Sequence, residues 1–207
     1  MTLFTPPHLL DGQRWRGLRV GLLGGSFNPP HAGHVHISRV ALQYLNLDCV
    51  WWLVTPQNPL KQESADYQKR LAECQALTRD HPRIIVSNLE YHLKTNRTVD
   101  TLHCLKKRFP HTAFVFLAGT DIAAQLDHWY RWRELPDLVP MAFIARPPAT
   151  DLVRNGRFKM LKSKNRVLEH ARKSALSPRE TVWIFGEALR PESSTAIRKT
   201  INIKELY

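Results

Sequence analysis

The apolar residues of this chain fall into short, nearly continuous runs separated by stretches with helical spacing. Arg19–Leu23, Cys49–Thr55, Arg83–Ser87, Ala113–Ala118, Met141–Ala145 and Thr181–Phe185 are the runs, rich in Val, Ile, Phe and Trp. That pattern predicts strands buried on both faces of a parallel sheet. Between them the apolar positions recur every three or four residues. Val35–Tyr44 places Val35, Ile37, Val40, Ala41 and Tyr44 on one side. Asp66–Arg79 does so with Tyr67, Leu71, Cys74 and Leu77 or Thr78, and Thr98–Phe109 with Val99, Leu102, Leu105 and Phe109. Each spacing predicts a helix with one inward stripe, the last ended by Pro110. Asp121–Leu126 and Trp129–Leu135 read as short helical pieces and Ser194–Ile203 as a closing helix.

Strands alternating with helices predict an α/β chain: a Rossmann-like, doubly wound, mostly parallel sheet with helices on both faces. Residues 1–18 show no periodicity and read as an N-terminal arm, leaving 19–207 as a single domain. Ligands of such sheets bind in the crevice outside the carboxyl ends of the strands. Four loops there carry candidate chemistry.

The first is Gly21–His34, Gly-Leu-Leu-Gly-Gly-Ser-Phe-Asn-Pro-Pro-His-Ala-Gly-His. Gly24 and Gly25 let a phosphate or a base approach the backbone, and Pro29 and Pro30 stiffen the loop. His31 and His34, three apart, share a face if both lie in the first helical turn, beside the free N–H groups that suit a polyphosphate. No carboxylate or cysteine stands near His31, His34 and His36 in sequence, and their order is not that of a zinc protease. The second loop, Pro56–Lys61, offers Lys61 to a phosphate or carboxylate. In the third, Gly119 permits close approach, and Asp121 suits ribose hydroxyls or a helix cap. The fourth is Glu192–Arg198, where Ser193 or Ser194 caps the closing helix and Arg198 follows about a turn later, a second helix-end anion site.

Composition narrows the partners. The formal net charge is +12, which favours anionic ligands. Residues 146–175 hold nine lysines and arginines against Asp151 and Glu169, and read as a solvated surface loop and helix or as a mobile basic segment near a phosphate site. Cys49, Cys74 and Cys104 are odd in number and scattered, as expected of a cytoplasmic chain. Residues 1–17 hold no apolar run long enough for a signal peptide, and no stretch approaches a membrane span. The pattern carries no signal for an oligomeric interface.

The string Gly-Gly-Ser-Phe-Asn-Pro-Pro-His-x-Gly-His, directly after a predicted strand, resembles the signature of the His-x-Gly-His nucleotidyltransferases, and in particular the bacterial nicotinate-nucleotide adenylyltransferases. The resemblance runs from about Val20 to Arg198. It implies an enzyme that binds ATP with Mg2+ and nicotinate mononucleotide, with no membrane or nucleic-acid partner. It assigns ATP to Gly24, Gly25, Ser26, Phe27, Gly119, Asp121, Ser193, Ser194 and Thr195. It assigns the mononucleotide to Asn28, Lys61, Thr98, Trp129 and Arg146, and catalysis to His31, His34 and Arg198. Trp129 would stack on the pyridine ring. The backbone near Thr98, in Thr98-Val99-Asp100-Thr101-Leu102, would help to read the nicotinate carboxylate. On bare residues Thr98 and Asp100 read instead as a helix cap and a first-turn acid. Three departures stand out: Arg97 replaces a tyrosine, Glu192 an isoleucine, and Asn58 and Leu60 interrupt the lysine loop.

The chemistry implied needs no paired carboxylates and no Ser-His-Asp arrangement. A phosphate monoester is largely dianionic at neutral pH, with a second pKa of about 6, and attacks the α-phosphorus of ATP without a general base. The reaction needs alignment of two repelling anions and stabilisation of the leaving pyrophosphate. Rival readings are the same reaction on nicotinamide mononucleotide, and transfer to phosphopantetheine or a polyol phosphate. Rivals of another class are a non-catalytic nucleotide sensor and a nucleic-acid-binding module, the last suggested by the charge and by Trp129, Tyr130, Arg131, Trp132 and Arg133.

Overall fold

A computed structural model describes residues 11–56, 66–145, 164–168 and 175–185. Seven strands form one sheet, every adjacent pair parallel: β1 (Arg19–Gly25), β2 (Cys49–Val54), β3 (Ile84–Ser87), β4 (Ala113–Gly119), β5 (Met141–Ile144), β6 (Lys164–Leu168) and β7 (Glu180–Ile184). Their order is β3-β2-β1-β4-β5-β7-β6. The chain winds outward one way from β1 through β2 and β3, then crosses back to β4 on the other side of β1. The switch point therefore lies between β1 and β4, where the crevice of a doubly wound sheet opens.

The period of two along each strand divides the core. Val20 and Leu22 of β1 face one side with Trp51, Phe114, Phe116 and Met141. That side is covered by α3 (Leu89–Leu93), α4 (Thr98–Arg108), α5 (Thr120–Ala123), two single 3₁₀ turns (Leu126–His128 and Trp132–Glu134) and α6 (Leu135–Leu138). Leu23 faces the other side with Val50, Trp52, Val115 and Leu117, under α1 (Ala32–Tyr44) and α2 (Tyr67–Leu77). The stripes predicted for α1 and α4 are buried in full. Gly21 is forced by this packing, since a Cβ there would lie 2.6 Å from Leu117 and 3.0 Å from Leu47.

Three local features depart from the sequence reading. The stretch 11–17, assigned to an arm, folds back as a series of turns. Its Trp15 is fully buried, edge-on to Trp51 at 4.7 Å, with the Trp15 carbonyl accepting from Thr112 Oγ1 at 2.8 Å. The basic segment contains strand β6, where Asn165 accepts from Trp183 Nε1 and Arg166 pairs with Glu180 at 2.9 Å. Its alternating Asn165, Val167 and charges hid a strand within a charge run. Helix α3 is an element the apolar pattern does not predict, because five residues are too few to show a period. The predicted closing helix Ser194–Ile203 lies outside the described residues.

Candidate active site

Strand β1 ends at Gly25, and six residues separate it from α1. His31 is the N-cap residue of α1, in extended backbone, not a member of the first turn as the spacing alone suggested. Its Nδ1 accepts from Gly33 N at 3.1 Å, while its own N–H donates to His34 Nδ1 at 3.2 Å. This is a capping box in which two imidazoles replace the usual hydroxyl and carboxylate. The ring centroids are 3.9 Å apart. With both Nδ1 atoms engaged as acceptors, the ring proton of each neutral imidazole sits on Nε2, which is then a donor. The helix start thus gathers two imidazole N–H groups and the positive end of the α1 dipole.

Phe27 holds this turn in shape. Its backbone is left-handed, with φ 47, a conformation that costs a bulky residue about 1–3 kcal/mol. Its ring is fully buried, stacked on Trp52 at 4.9 Å and tilted against His34 at 4.7 Å. Burying a phenyl ring contributes about 1.5–3 kcal/mol, enough to hold that backbone. The Asn28–Pro29 peptide is cis. Trp52 Nε1 donates to Ser38 Oγ at 2.8 Å, and Ser38 Oγ donates to the His34 carbonyl at 3.0 Å, which fixes α1 on the sheet below.

The glycines of the loop differ in what they serve. A Cβ on Gly25 would press on the Phe27 ring at 3.3 Å, so a larger residue there would have to shift that buried ring. A Cβ on Gly24 would meet nothing within 4 Å, and Gly24 is exposed at the end of β1. Among the described residues nothing demands a glycine there.

Arg70, one turn into α2, was missed by sequence reasoning. It is 1% exposed, and its guanidinium donates to three backbone carbonyls: Ser26 in the loop after β1, Thr55 at 2.9 Å and Pro56 at 2.8 Å after β2. The Tyr67 ring lies 5.4 Å from it. Burial lowers the Arg70 pKa, yet guanidinium stays charged in proteins. Its signal was positional: Arg70 falls four residues before Cys74 and three after Tyr67, on the stripe read as apolar.

Across the switch point, Gly119 ends β4 and Asp121 occupies the first turn of α5, whose N-cap is Gly119 and not Asp121. Trp129 is half-buried, edge-on to Phe116 at 6.2 Å. Thr98 is the first helical residue of α4, and the cap position belongs to Arg97, which makes no side-chain cap bond. The Arg97 guanidinium instead lies 4.3 Å from the ring of Tyr130, next to Trp129. The α4 start and the Trp129 segment are thereby brought together. Beneath them Glu90, 5% exposed, accepts from Thr101 Oγ1 at 2.9 Å, and Thr101 also bonds Thr95. Burial raises the Glu90 pKa, against hydrogen bonding from Thr55 and Thr101, and its Oε2 has no partner of standard geometry among the described residues.

Of the predicted site residues, Gly24, Gly25, Ser26, Phe27, Asn28, His31 and His34 form one continuous turn. Gly119 and Asp121 follow the strand beside it, and Thr98 and Trp129 meet through the Arg97–Tyr130 contact. Lys61, Arg146, Ser193, Ser194, Thr195 and Arg198 lie outside the described residues. Among the described residues no group of three His, Cys, Asp or Glu is placed to hold a metal ion, and no helix is long and apolar enough to cross a membrane.

The model of the cytidylyltransferase-like family matches residues 22–200. A probable nicotinate-nucleotide adenylyltransferase of Parvibaculum lavamentivorans is 54% identical over 136 residues, covering 65% of this chain and 67% of its own. One from Cereibacter sphaeroides ATCC 17025 is 44% identical over 183 residues, covering 87% of this chain and 97% of its own. Among solved structures, the Plasmodium falciparum nicotinic acid mononucleotide adenylyltransferase complexed with NaAD superposes with a TM-score of 0.68. It is 17% identical and covers 91% of this chain and 89% of its own, a likeness of fold.

Proposed function

We propose a reaction and a mechanism from one premise: the chain belongs to the cytidylyltransferase-like family, among its nicotinate-nucleotide adenylyltransferases. It is a nucleotidyltransferase that joins ATP and nicotinate mononucleotide to give nicotinate adenine dinucleotide and pyrophosphate, a step of NAD biosynthesis. The observation that carries the reading at the level of atoms is the two-histidine capping box. It supplies imidazole N–H donors at a helix N-terminus, at the end of the loop that Gly24 opens, where a Cβ would meet no described atom within 4 Å.

In this reading the triphosphate lies over Gly24 and the start of α1. The Nε2–H groups of His31 and His34 donate to its oxygens, and Arg198, Ser193, Ser194 and Thr195 are the further groups proposed to bind it. Asp121 takes the ribose hydroxyls beside Gly119. The mononucleotide lies toward Asn28, Lys61, Thr98 and Arg146, its pyridine ring on Trp129. Its phosphate attacks the α-phosphorus in line and pyrophosphate leaves, with His34 facing the charge that accumulates on it. No side chain takes a proton.

Magnesium belongs to the proposal as the ion that ATP brings. The donor set suits it, because both Nδ1 atoms already accept backbone N–H bonds and the imidazoles meet phosphate as donors, not metal as ligands. Its ligands would be phosphate oxygens and water, and it would neutralise charge there. The scattered cysteines, Cys49 and Cys74 buried, support a reducing cytoplasm.

The test is pyrophosphate release from ATP with nicotinate mononucleotide and, in parallel, with nicotinamide mononucleotide. The acid should be strongly preferred. Equal rates would refute the acid-specific claim, and salt-sensitive oligonucleotide binding without turnover would favour a nucleic-acid module.

A further inference from the structure

The loop after β1 and the loop after β2 are joined by a single side chain. Arg70 reaches from α2 through the core and donates to the carbonyls of Ser26, Thr55 and Pro56. Ser26 immediately precedes the left-handed Phe27, and Thr55 N–H donates to the Gly25 carbonyl at 3.0 Å. The two loops are therefore tied twice, once by backbone and once by guanidinium. Strand register brings the same residues level, with Gly24 opposite Leu53 and Gly25 opposite Val54. Arg70 itself sits 1% exposed among Cys74 and Tyr67. It is a rigid planar fork whose donors diverge onto acceptors from two segments. A lysine, with one ammonium on a flexible stem, cannot span them in the same way.

We propose that Arg70 is a positioning residue for adenylyl transfer. Its guanidinium sets the spacing and orientation of the loop that carries the histidine pair relative to Thr55 and Pro56 at the end of β2, and so aligns the two anionic reactants. The proposal rests on the reading above, which puts the triphosphate on the first loop and the mononucleotide toward the second. It acts through backbone and touches neither reactant. Alignment is where displacement is most sensitive, since a shift of about 1 Å costs roughly 100-fold in rate.

The test uses the full chain with Arg70→Lys, Arg70→Met and Arg70→Ala, assayed for pyrophosphate release at a temperature where circular dichroism shows each variant folded. Arg70→Lys should lower kcat by roughly 100-fold while the KM values for ATP and mononucleotide move by less than kcat does. Added methylguanidinium should restore part of kcat to Arg70→Ala and none to His34→Ala. A folded Arg70→Lys that keeps kcat within threefold of the parent, with only its melting temperature lowered, overturns the proposal. So does failure of both Arg70→Lys and Arg70→Met to fold, which makes the residue a folding determinant only. If the unsubstituted chain releases no pyrophosphate with either mononucleotide, the adenylyl-transfer reading fails. The clamp is then judged by calorimetric binding of a non-hydrolysable ATP analogue. Arg70→Met should weaken that binding at least tenfold, and unchanged binding overturns the clamp.

Discussion

The proposed mechanism gives His34 two jobs that one pair of substitutions separates. Its Nδ1 accepts the His31 N–H at 3.2 Å, a cap contact that contributes about 1 kcal/mol to stability. Its Nε2–H is the donor assigned to the triphosphate, and loss of one such donor costs about 2.7–4 kcal/mol of barrier, or 10²–10³ in kcat. His34→Ala loses both. His34→Glu restores the capping-box acceptor, since a glutamate at this third helical position is the usual partner, but sets a carboxylate against the triphosphate. The expected outcome is that His34→Glu unfolds in urea closer to the parent than His34→Ala does. Both should lose at least 10²-fold in kcat for pyrophosphate release, the glutamate variant the more. The reasoning is refuted if His34→Ala loses stability as stated and yet keeps kcat within tenfold. The ring would then be a cap and nothing else.

Gly24→Ala should fold with unchanged stability or gain about 0.4–1 kcal/mol from the unfolded chain, because its Cβ meets no atom of the described residues within 4 Å, while the KM for ATP rises; denaturation and initial rates check the two halves. Trp129→Leu should raise the KM for the mononucleotide roughly tenfold and leave that for ATP unchanged, the loss of one base-sized stacking contact, read from initial rates with each substrate varied. Glu90→Gln tests the buried carboxyl. Its raised pKa means that the folded state binds more protons than the unfolded one, so stability is full below the ordinary carboxyl range and falls as pH rises above it. The glutamine variant keeps the acceptor for Thr101 without the charge. It should gain over the parent by about 1–3 kcal/mol at pH 8 and by less at pH 5, by urea unfolding. An equal difference at both pH values would contradict the assignment.

The sheet was legible because strands buried on both faces are apolar throughout: Val-Trp-Trp-Leu-Val of β2 admits no other place. The helix stripes of α1 and α4 were legible for the same reason. What escaped detection was polar groups held inside. Arg70 looked like a surface charge because pattern reading assigns charges to solvent, and only its three carbonyl acceptors explain its burial. Glu90 escaped in the same way, and Trp15 because its neighbours in sequence are polar. The site was legible where one continuous turn carries it. Near Thr98 the helix start was placed correctly, but the cap role went to Arg97, since a cap depends on φ and ψ, which the residue type only biases. The bond of the Trp129 segment to α4 needed Arg97 over Tyr130, a contact thirty-odd residues apart that no local pattern encodes.

The three thiols are unequal in a useful way. Burial pushes Cys49 and Cys74 up to about 12, so at neutral pH almost no thiolate forms at either. Cys104, half-exposed on α4, is the remaining cysteine of the chain. A maleimide dye offered to the native protein should therefore attach at that one sulfur without prior removal of the others. It would ride on the helix whose N-cap Arg97 packs on Tyr130, beside the tryptophan proposed to stack on the pyridine ring, a ready optical reporter of mononucleotide arrival.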